Sequence, residues 1–448
     1  MFSKRFNLTI NNRIPAYKKI IEVDSDKSIS IRSFLISAIS QNKSIIKNVL
    51  ESEDVLSTII CLKKLGIKIK KLKQGNYIVF GKGLGSLSLK KNNKLNFNNS
   101  GTLARLLIGI LSTTPGINVN LTGDRSLNRR SMKSLINLMK KFGATFLPEK
   151  KFYFPLKLIS SEIPLGINYI SGVSAQLKSA VMLAGLNSNG NTKVIESQRS
   201  RNHTENILLN NNQVIKIKEN KKKIITIYGK KHLNSLKIDV PNDPSSAAFF
   251  LALTILNENS SLIIKNVGLN PTRTGFYQLL KKQGAKITYK NLKKNNFELR
   301  GDIFIKNSKL KPFNVPQKYY VNSTDEYPIM FVMAALTKGI SIFKGIGDLA
   351  NKESNRALEM QKILNQINVK SKLRKDSFTI NGQGKIDASN KIINVPNLGD
   401  HRICMSSFVL ALLTGAKVKI KNFETVFTSS PSFLSIMKLL GAKFEVHK

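Results

Sequence analysis

One recurring phrase restricts the folding of this chain more than any other feature. An apolar helix end runs into a glycine, and an alternating, strand-like segment follows. The clear copies are Cys61-Leu62-Lys63-Lys64-Leu65-Gly66, Leu138-Met139-Lys140-Lys141-Phe142-Gly143, Leu279-Leu280-Lys281-Lys282-Gln283-Gly284 and Ile436-Met437-Lys438-Leu439-Leu440-Gly441. Weaker copies are Ile363-Leu364-Asn365-Gln366-Ile367-Asn368 and Ile207-Leu208-Leu209-Asn210-Asn211-Asn212. Glycine or asparagine suits the left-handed residue that closes a helix. The copies lie roughly 70–85 residues apart, too far for a short solenoid repeat, so the spacing predicts an array of six α/β units. The break between halves is expected near Val240-Pro241-Asn242-Asp243-Pro244-Ser245-Ser246, with three units on each side. Asp243 suits a helix N-cap and Pro244 the first helical position. The helix predicted over 247–256 is apolar almost all round and should be buried.

With 448 residues, the chain is long enough for two or more domains and a sizeable core. Its longest apolar runs, 247–253 and 329–336, are too short to cross a bilayer. The opening Met1-Phe2-Ser3-Lys4-Arg5-Phe6 leads into polar residues with no apolar core, so no secretory signal is expected. Cys61 and Cys404 provide neither a disulfide framework nor zinc-ligand spacing, which suits a reducing cytoplasm. The formal charge of +45 points to attraction for anions. A nucleic-acid binder concentrates its basic residues in a patch or tail, whereas lysine here is spread along the whole chain. Runs such as Lys221-Lys222-Lys223 read as solvated turns.

Eight segments place cations, hydroxyls, amides or carboxylates around expected helix starts, and first-turn N–H groups there suit an anion. In Lys27-Ser28-Ile29-Ser30-Ile31-Arg32, two cations and two hydroxyls follow Asp26, a plausible cap. Asn98-Asn99-Ser100-Gly101-Thr102 opens a helix containing Arg105, and small residues there let backbone N–H groups approach an anion closely. Gly123-Asp124-Arg125-Ser126-Leu127-Asn128-Arg129-Arg130 offers three arginines as an anion clamp. Ser171-Gly172-Val173-Ser174-Ala175-Gln176-Leu177-Lys178 places donors at Ser174, Gln176 and Lys178. It is followed by Ser200-Arg201-Asn202-His203-Thr204-Glu205, where His203 reads as a structural hydrogen-bonder. In the second half, Asp325-Glu326-Tyr327-Pro328 precedes an apolar helix. The stretch Asn351-Lys352-Glu353-Ser354-Asn355-Arg356 is expected to put Lys352, Glu353 and Arg356 within one helical turn, with Lys352 and Arg356 on one face. Gly399-Asp400-His401-Arg402 opens a further apolar helix over 403–413. Each segment alone reads equally as a cap or an i,i+4 salt bridge; the matched set points to an anion site.

These segments (DKSISIR, NNSGTLARLL, GDRSLNRRSM, SGVSAQLKSA, SRNHTE, VPNDPSSAAFF, TDEYP, KESNR and DHRICMS, in this order) resemble those of the enolpyruvyl transferases over essentially the whole chain. The closest likeness is to the branch that acts on shikimate 3-phosphate. The resemblance implies an α/β (α+β) fold of two similar domains, each of three βαβαββ units of the inverted α/β barrel type, giving a six-fold internal repeat. Residues 1–24 plus 241–448 would form the domain with the phosphoenolpyruvate and proton-transfer residues. Residues 25–240 would form the shikimate 3-phosphate domain, with hinges near 24 and 240, and the domains would close over their substrates. The implied reaction moves the enolpyruvyl group of phosphoenolpyruvate to the 5-hydroxyl of shikimate 3-phosphate and releases phosphate, with no metal or organic cofactor. By resemblance, Lys27, Ser28, Arg32, Ser174, Gln176, Arg201, Asp325 and Lys352 would contact shikimate 3-phosphate. Lys27, Gly101, Arg130, Gln176, Arg356 and Arg402 would hold phosphoenolpyruvate. Asp325 would take the hydroxyl proton, and Lys352 and Glu353 are the candidates for proton transfer at the methylene carbon. A cytoplasmic monomer with no nucleic-acid or membrane partner is expected.

The chain departs from the family pattern in places. The usual histidine of KSxSHR is Ile31, and the frequent Arg-Val before the lysine is Ala350-Asn351. The usual aspartate before the last arginine of KESDR is Asn355, which predicts a missing orienting carboxylate. Some members carry a phosphate-binding lysine near the last motif, and 425–431 contains none. The rival within the fold is the UDP-N-acetylglucosamine enolpyruvyl transferase, which relies on a cysteine in a mobile loop. Cys61 and Cys404 sit instead in apolar patterns that read as core. The rival from another class is an inactive homologue that binds anions or nucleic acid; it would keep the clamps and lose Asp325 or Lys352, and both are present.

Overall fold

A computed structural model describes residues 5–89 and 93–447; the first four residues of the signal-peptide reading lie outside them. The chain divides into two compact units. The terminal unit runs up to Asp24, continues over Pro241–Lys293 and resumes from Leu299; the middle unit holds Ser25–Val240 with Lys294–Glu298.

The described strands form six four-stranded sheets, three per unit. Each sheet contains one parallel pair. Antiparallel strands then extend that pair. The terminal unit draws on both ends of the chain. Strand Asn7–Ile10 lies antiparallel between Lys417–Ile420 and Glu445–His447, with Leu8 opposite both Ile420 and Val446. Strand Lys18–Ile21 pairs in parallel with Ser261–Gly268.

Among the described residues, each unit carries six main helices. Those of the middle unit are α1 (Lys27–Ile39), α2 (Glu53–Lys64), α3 (Gly101–Ser112), α4 (Lys133–Lys141), α5 (Ala175–Leu186) and α6 (His203–Leu208). Those of the terminal unit are α7 (Pro244–Leu256), α8 (Gly275–Lys282), α9 (Tyr327–Ala335), α10 (Arg356–Asn365), α11 (His401–Thr414) and α12 (Phe433–Leu439). They alternate in character. The odd-numbered helices are apolar nearly all round and fill the cores; α7 is buried from Pro244 to Ile255, and α9 along its whole length. Within the terminal unit α7, α9 and α11 pack on one another, and within the middle unit α3 packs on both α1 and α5. The even-numbered helices other than α6, which is buried throughout, expose one face: α4 buries Leu135, Ile136, Leu138 and Met139 and exposes Lys140 and Lys141. Ile31, the residue in place of the family's histidine, is fully buried in the middle-unit core.

The glycine phrase does what its chemistry requires. Gly66, Gly143, Gly284 and Gly441 take φ of +84°, +93°, +102° and +102°, and each is followed by a strand. Asn368 takes the same role at φ +62°. The copy at 207–212 differs: Asn212 is not left-handed, and Asn210 Nδ2 instead donates to the carbonyls of Asn206 and Ile207 where α6 ends. Among the described residues, no helix is long and apolar enough to cross a membrane.

Candidate active site

In the middle unit, the starts of α1, α3 and α5 carry most of the candidate residues. Asp26 caps α1 by accepting from Ile29 N at 2.8 Å, which leaves Lys27 and Ser28 in the first turn. Lys27 Nζ lies 3.0 Å from Asp54, itself nearly buried. Arg32 is buried one turn further on. Its Nε donates to Thr204 Oγ1 at 2.9 Å, and its two Nη atoms donate to Ser28 O at 3.0 Å and Ser179 Oγ at 3.2 Å. Ser30 is not beside them as a ligand group: its hydroxyl accepts from Leu50 N at 3.1 Å, inside the fold.

Ser100 caps α3 and Ser174 caps α5, each accepting from the N–H three residues on. Between these helix starts, Arg105 Nη1 donates to Gln176 Oε1 at 2.9 Å and to Gly101 O at 3.2 Å. Gln176 Nε2 donates to Thr102 Oγ1 at 3.0 Å. Arg130 donates to Asn99 Oδ1 at 2.7 Å and Ser126 Oγ at 3.2 Å, and Asn99 donates in turn to Asp124 at 2.8 Å. Gly101 leaves room for both guanidinium groups. A Cβ at that position would come within 2.8 Å of an Arg105 nitrogen and 3.1 Å of an Arg130 nitrogen. Gly101, Arg105, Arg130 and Gln176 thus form one cluster, with Arg32 joined to α5 through Ser179. Arg201 is half-buried on the segment before α6. His203, as its type suggests, makes a structural bond, with Nδ1 2.7 Å from Glu298.

In the terminal unit, Arg356 is the centre of a carboxylate collar. Its Nε donates to Asp400 Oδ2 at 2.9 Å, one Nη to Glu353 at 2.6 Å and the other to Asp325 at 3.5 Å. Burial disfavours a charged guanidinium, but Asp400, Glu353 and Asp325 outweigh it and raise the pKa of Arg356 above its ordinary value. Asp400 is fully buried and also caps α11, accepting from Arg402 N at 3.0 Å and from Ser354 Oγ at 2.9 Å. The side chains of Asp325 and Glu353 each keep 22% exposure, so both remain open to a ligand. Arg402 is buried against the Phe249 ring, with one Nη donating to Ser245 O at 3.3 Å. Its Nε has no acceptor among the described residues, which is unfavourable unless a ligand supplies one. Behind it, Ser245 hydrogen-bonds Glu326, and Arg273 donates to Ser245 Oγ at 2.8 Å and Asp243 at 3.1 Å.

Lys352 is held apart from this collar. Its Nζ lies 2.6 Å from Asp348 and 5.9 Å from the centre of the Tyr320 ring. Tyr320 OH donates to the same Asp348 oxygen at 2.9 Å. Burial and then the Asp348 charge push the tyrosine hydroxyl well above its ordinary value. Burial would raise Asp348 too, but the Lys352 ammonium and these hydrogen bonds hold it below the ordinary 3.8.

Four sequence expectations are corrected. Lys352 and Arg356 do not share a helix face: Lys352 is extended after the 3₁₀ turn Gly347–Asn351, and α10 begins only at Arg356 because Asn355 caps it, accepting from Leu358 N at 3.2 Å. Asn355 does not cost Arg356 its orienting carboxylate, because Asp400 and Glu353 supply that contact. Only Arg130 of the three clustered arginines turns inward to Asn99 and Ser126; Arg125 and Arg129 are exposed. Lys178 and Lys223, read as a helix-start donor and part of a solvated turn, point into the middle unit and pair with buried glutamates. Sequence reasoning missed Asp348, and it named Arg105, Thr204 and Asp400 without the partners the structure gives them, Gln176, Arg32 and Arg356. Arg105, one turn past Gly101, and Asp400, at a helix start, had local signals.

Both cysteines are buried free thiols. Burial pushes Cys61 up to about 12 and raises Cys404 as well, so neither is a reactive thiolate near neutrality.

What the two units share is a set of polar helix starts with arginines nearby, suited to phosphate and carboxylate groups. The chain matches the family described as EPSP synthase (3-phosphoshikimate 1-carboxyvinyltransferase) over residues 12–437. A 3-phosphoshikimate 1-carboxyvinyltransferase from Paramagnetospirillum magneticum is 37% identical over 424 residues, covering 94% of each chain. One from Zymomonas mobilis is 36% identical over 441 residues, covering 98% of this chain and 97% of its own. The solved EPSP synthase from Acinetobacter baumannii superposes with a TM-score of 0.85 at 32% identity, covering 99% of this chain and all of that one. Sequence, fold and the chemistry of the helix starts agree: this chain belongs to the EPSP synthase family.

Proposed function

We propose that the protein transfers the enolpyruvyl group of phosphoenolpyruvate to the 5-hydroxyl of shikimate 3-phosphate. In this reaction C3 of phosphoenolpyruvate gains a proton and the hydroxyl oxygen bonds to C2. The tetrahedral intermediate then loses phosphate from C2 and a proton from C3. Lys27, Ser28, Arg32, Ser174, Gln176 and Arg201 are assigned to shikimate 3-phosphate. Lys27, Gly101, Arg130, Gln176, Arg356 and Arg402 are assigned to phosphoenolpyruvate. Asp325 takes the hydroxyl proton; its side chain keeps 22% exposure beside Arg356. Lys352 and Glu353 serve the methylene carbon; for Lys352 to do so, its ammonium must leave Asp348. A monomeric state and a cytoplasmic location belong to the same proposal.

The observation that carries this reading is the Arg356 collar. It holds a buried guanidinium beside two partly open carboxylates, so a cation and candidate bases stand together. The test is phosphate release from phosphoenolpyruvate plus shikimate 3-phosphate. Asp325→Ala and Lys352→Ala should each lower turnover by about a hundredfold or more while the thermal melt stays near that of the parent. No release by the parent protein at saturating substrates overturns the proposal. Turnover that persists in moderate salt separates it from a polyanion-binding homologue.

A further inference from the structure

Lys178 lies two residues past Gln176 on α5, yet its side chain is fully buried. Its Nζ is 2.7 Å from Glu196 Oε1 and 2.6 Å from Glu205 Oε1. These two carboxylates flank the segment 197–202: Glu196 ends the strand Asn191–Glu196, and Glu205 lies in α6. One internal ammonium therefore ties together both ends of the segment that presents Arg201. Glu196 Oε1 also accepts from the main-chain N and the Oγ of Ser200, each at 3.1 Å. Ser197 Oγ closes the other end on Ser171 O at 2.9 Å. Lys223 adds a second cation, 3.3 Å from Glu196 and 3.7 Å from Glu205. Two ammonium groups balance two carboxylates, which makes their burial tolerable.

The next residue on α5 reaches a second arginine. Ser179 Oγ lies 2.8 Å from Thr204 Oγ1, and both hydroxyls accept from Arg32. Thr204 immediately precedes Glu205, so drawing Glu205 onto Lys178 also sets Thr204 against Arg32.

We infer that Lys178, with Glu196 and Glu205, is a positioning residue: an internal strut that sets Arg32 and Arg201 for the phosphate of shikimate 3-phosphate without itself meeting the substrate. The inference rests on the assignment of those two arginines to that substrate. Lys178→Met alone would leave an excess buried carboxylate, so the test uses Lys178→Met with Glu205→Gln, which removes one charge of each sign. In this variant the KM for shikimate 3-phosphate should rise by about tenfold or more, while kcat and the KM for phosphoenolpyruvate move by less than about threefold. Trypsin should cut faster after Arg199 or Arg201 because the segment loses its tether. Glu196→Gln, which keeps the Lys178–Glu205 pair and weakens the hold on Ser200, should show the same split in milder form if the double variant does not fold. An unchanged KM for shikimate 3-phosphate with an unchanged trypsin pattern in a folded variant overturns the strut. So does a fall in kcat together with both substrates' apparent affinities, in proportion to lost thermal stability. If the parent protein releases no phosphate, the functional assignment fails and the trypsin comparison alone decides the strut.

Discussion

Arg32 and Arg356 are both buried arginines near helix starts, one in each unit, and they are held by different chemistry. Arg32 is oriented by the hydroxyls of Thr204 and Ser179 and by a main-chain carbonyl. Arg356 is oriented by carboxylates from Asp400, Glu353 and Asp325. Hydroxyls fix direction and do not titrate in the working range. Carboxylates fix direction and also set the local charge, so their effect depends on ionisation and is severe when a fully buried one such as Asp400 is removed. The difference suits the proposed division of labour. In that proposal Arg32 would need a steady geometry for a phosphate, whereas Arg356 would sit beside groups that exchange protons.

The largest test of this contrast is Asp400→Ala. It removes a fully buried carboxylate that both caps α11 and holds Arg356, and it should lower stability by about 3 kcal/mol or more in chemical denaturation. A loss under about 1 kcal/mol would show that the collar is not what stabilises Arg356. Thr204→Val should be much milder. Losing one acceptor of Arg32 should cost about 1–2 kcal/mol, with the loss the same at pH 6 and pH 8. A strongly pH-dependent loss would break the comparison by showing that Arg32 too is governed by a titrating partner.

The smallest effect concerns the clasp on Lys352. Asp348 is depressed below 3.8, so its contribution is complete above that value and is lost as pH falls through its folded value. Asp348→Asn should flatten the stability profile in that acid window and leave the slope at higher pH alone. Its side chain is nearly half exposed, so the change should be slight. A profile with the parent's acid slope would show that the ion pair does not contribute to the fold. Kinetically the same variant sharpens the proposal: freeing Lys352 from Asp348 should alter the pH profile of turnover more than either KM.

The parts of the site that could be read from sequence are those built within a few residues. Asp26, Ser100, Ser174, Asp243 and Asp400 all cap helices, because a short polar side chain reaches the N–H groups two or three positions on. The local pattern failed where a cap and a helical spacing competed. Lys352 and Arg356 have i,i+4 spacing, but Asn355 stops the helix between them. It failed again for Lys178, whose position beside Gln176 says nothing about which face of α5 meets Glu196 and Glu205.

Sequence alone determined the six-fold rhythm, the glycine turns that enforce it and the polar helix starts, because caps and left-handed residues are properties of neighbouring atoms along the chain. Only the tertiary structure decided which charges meet. Asp400 finds Arg356 across 44 positions and Thr204 finds Arg32 across 172, distances over which no local rule operates. Burial then decides what each contact is worth, because an ion pair gains strength, and its rupture becomes costly, only once packing has excluded water.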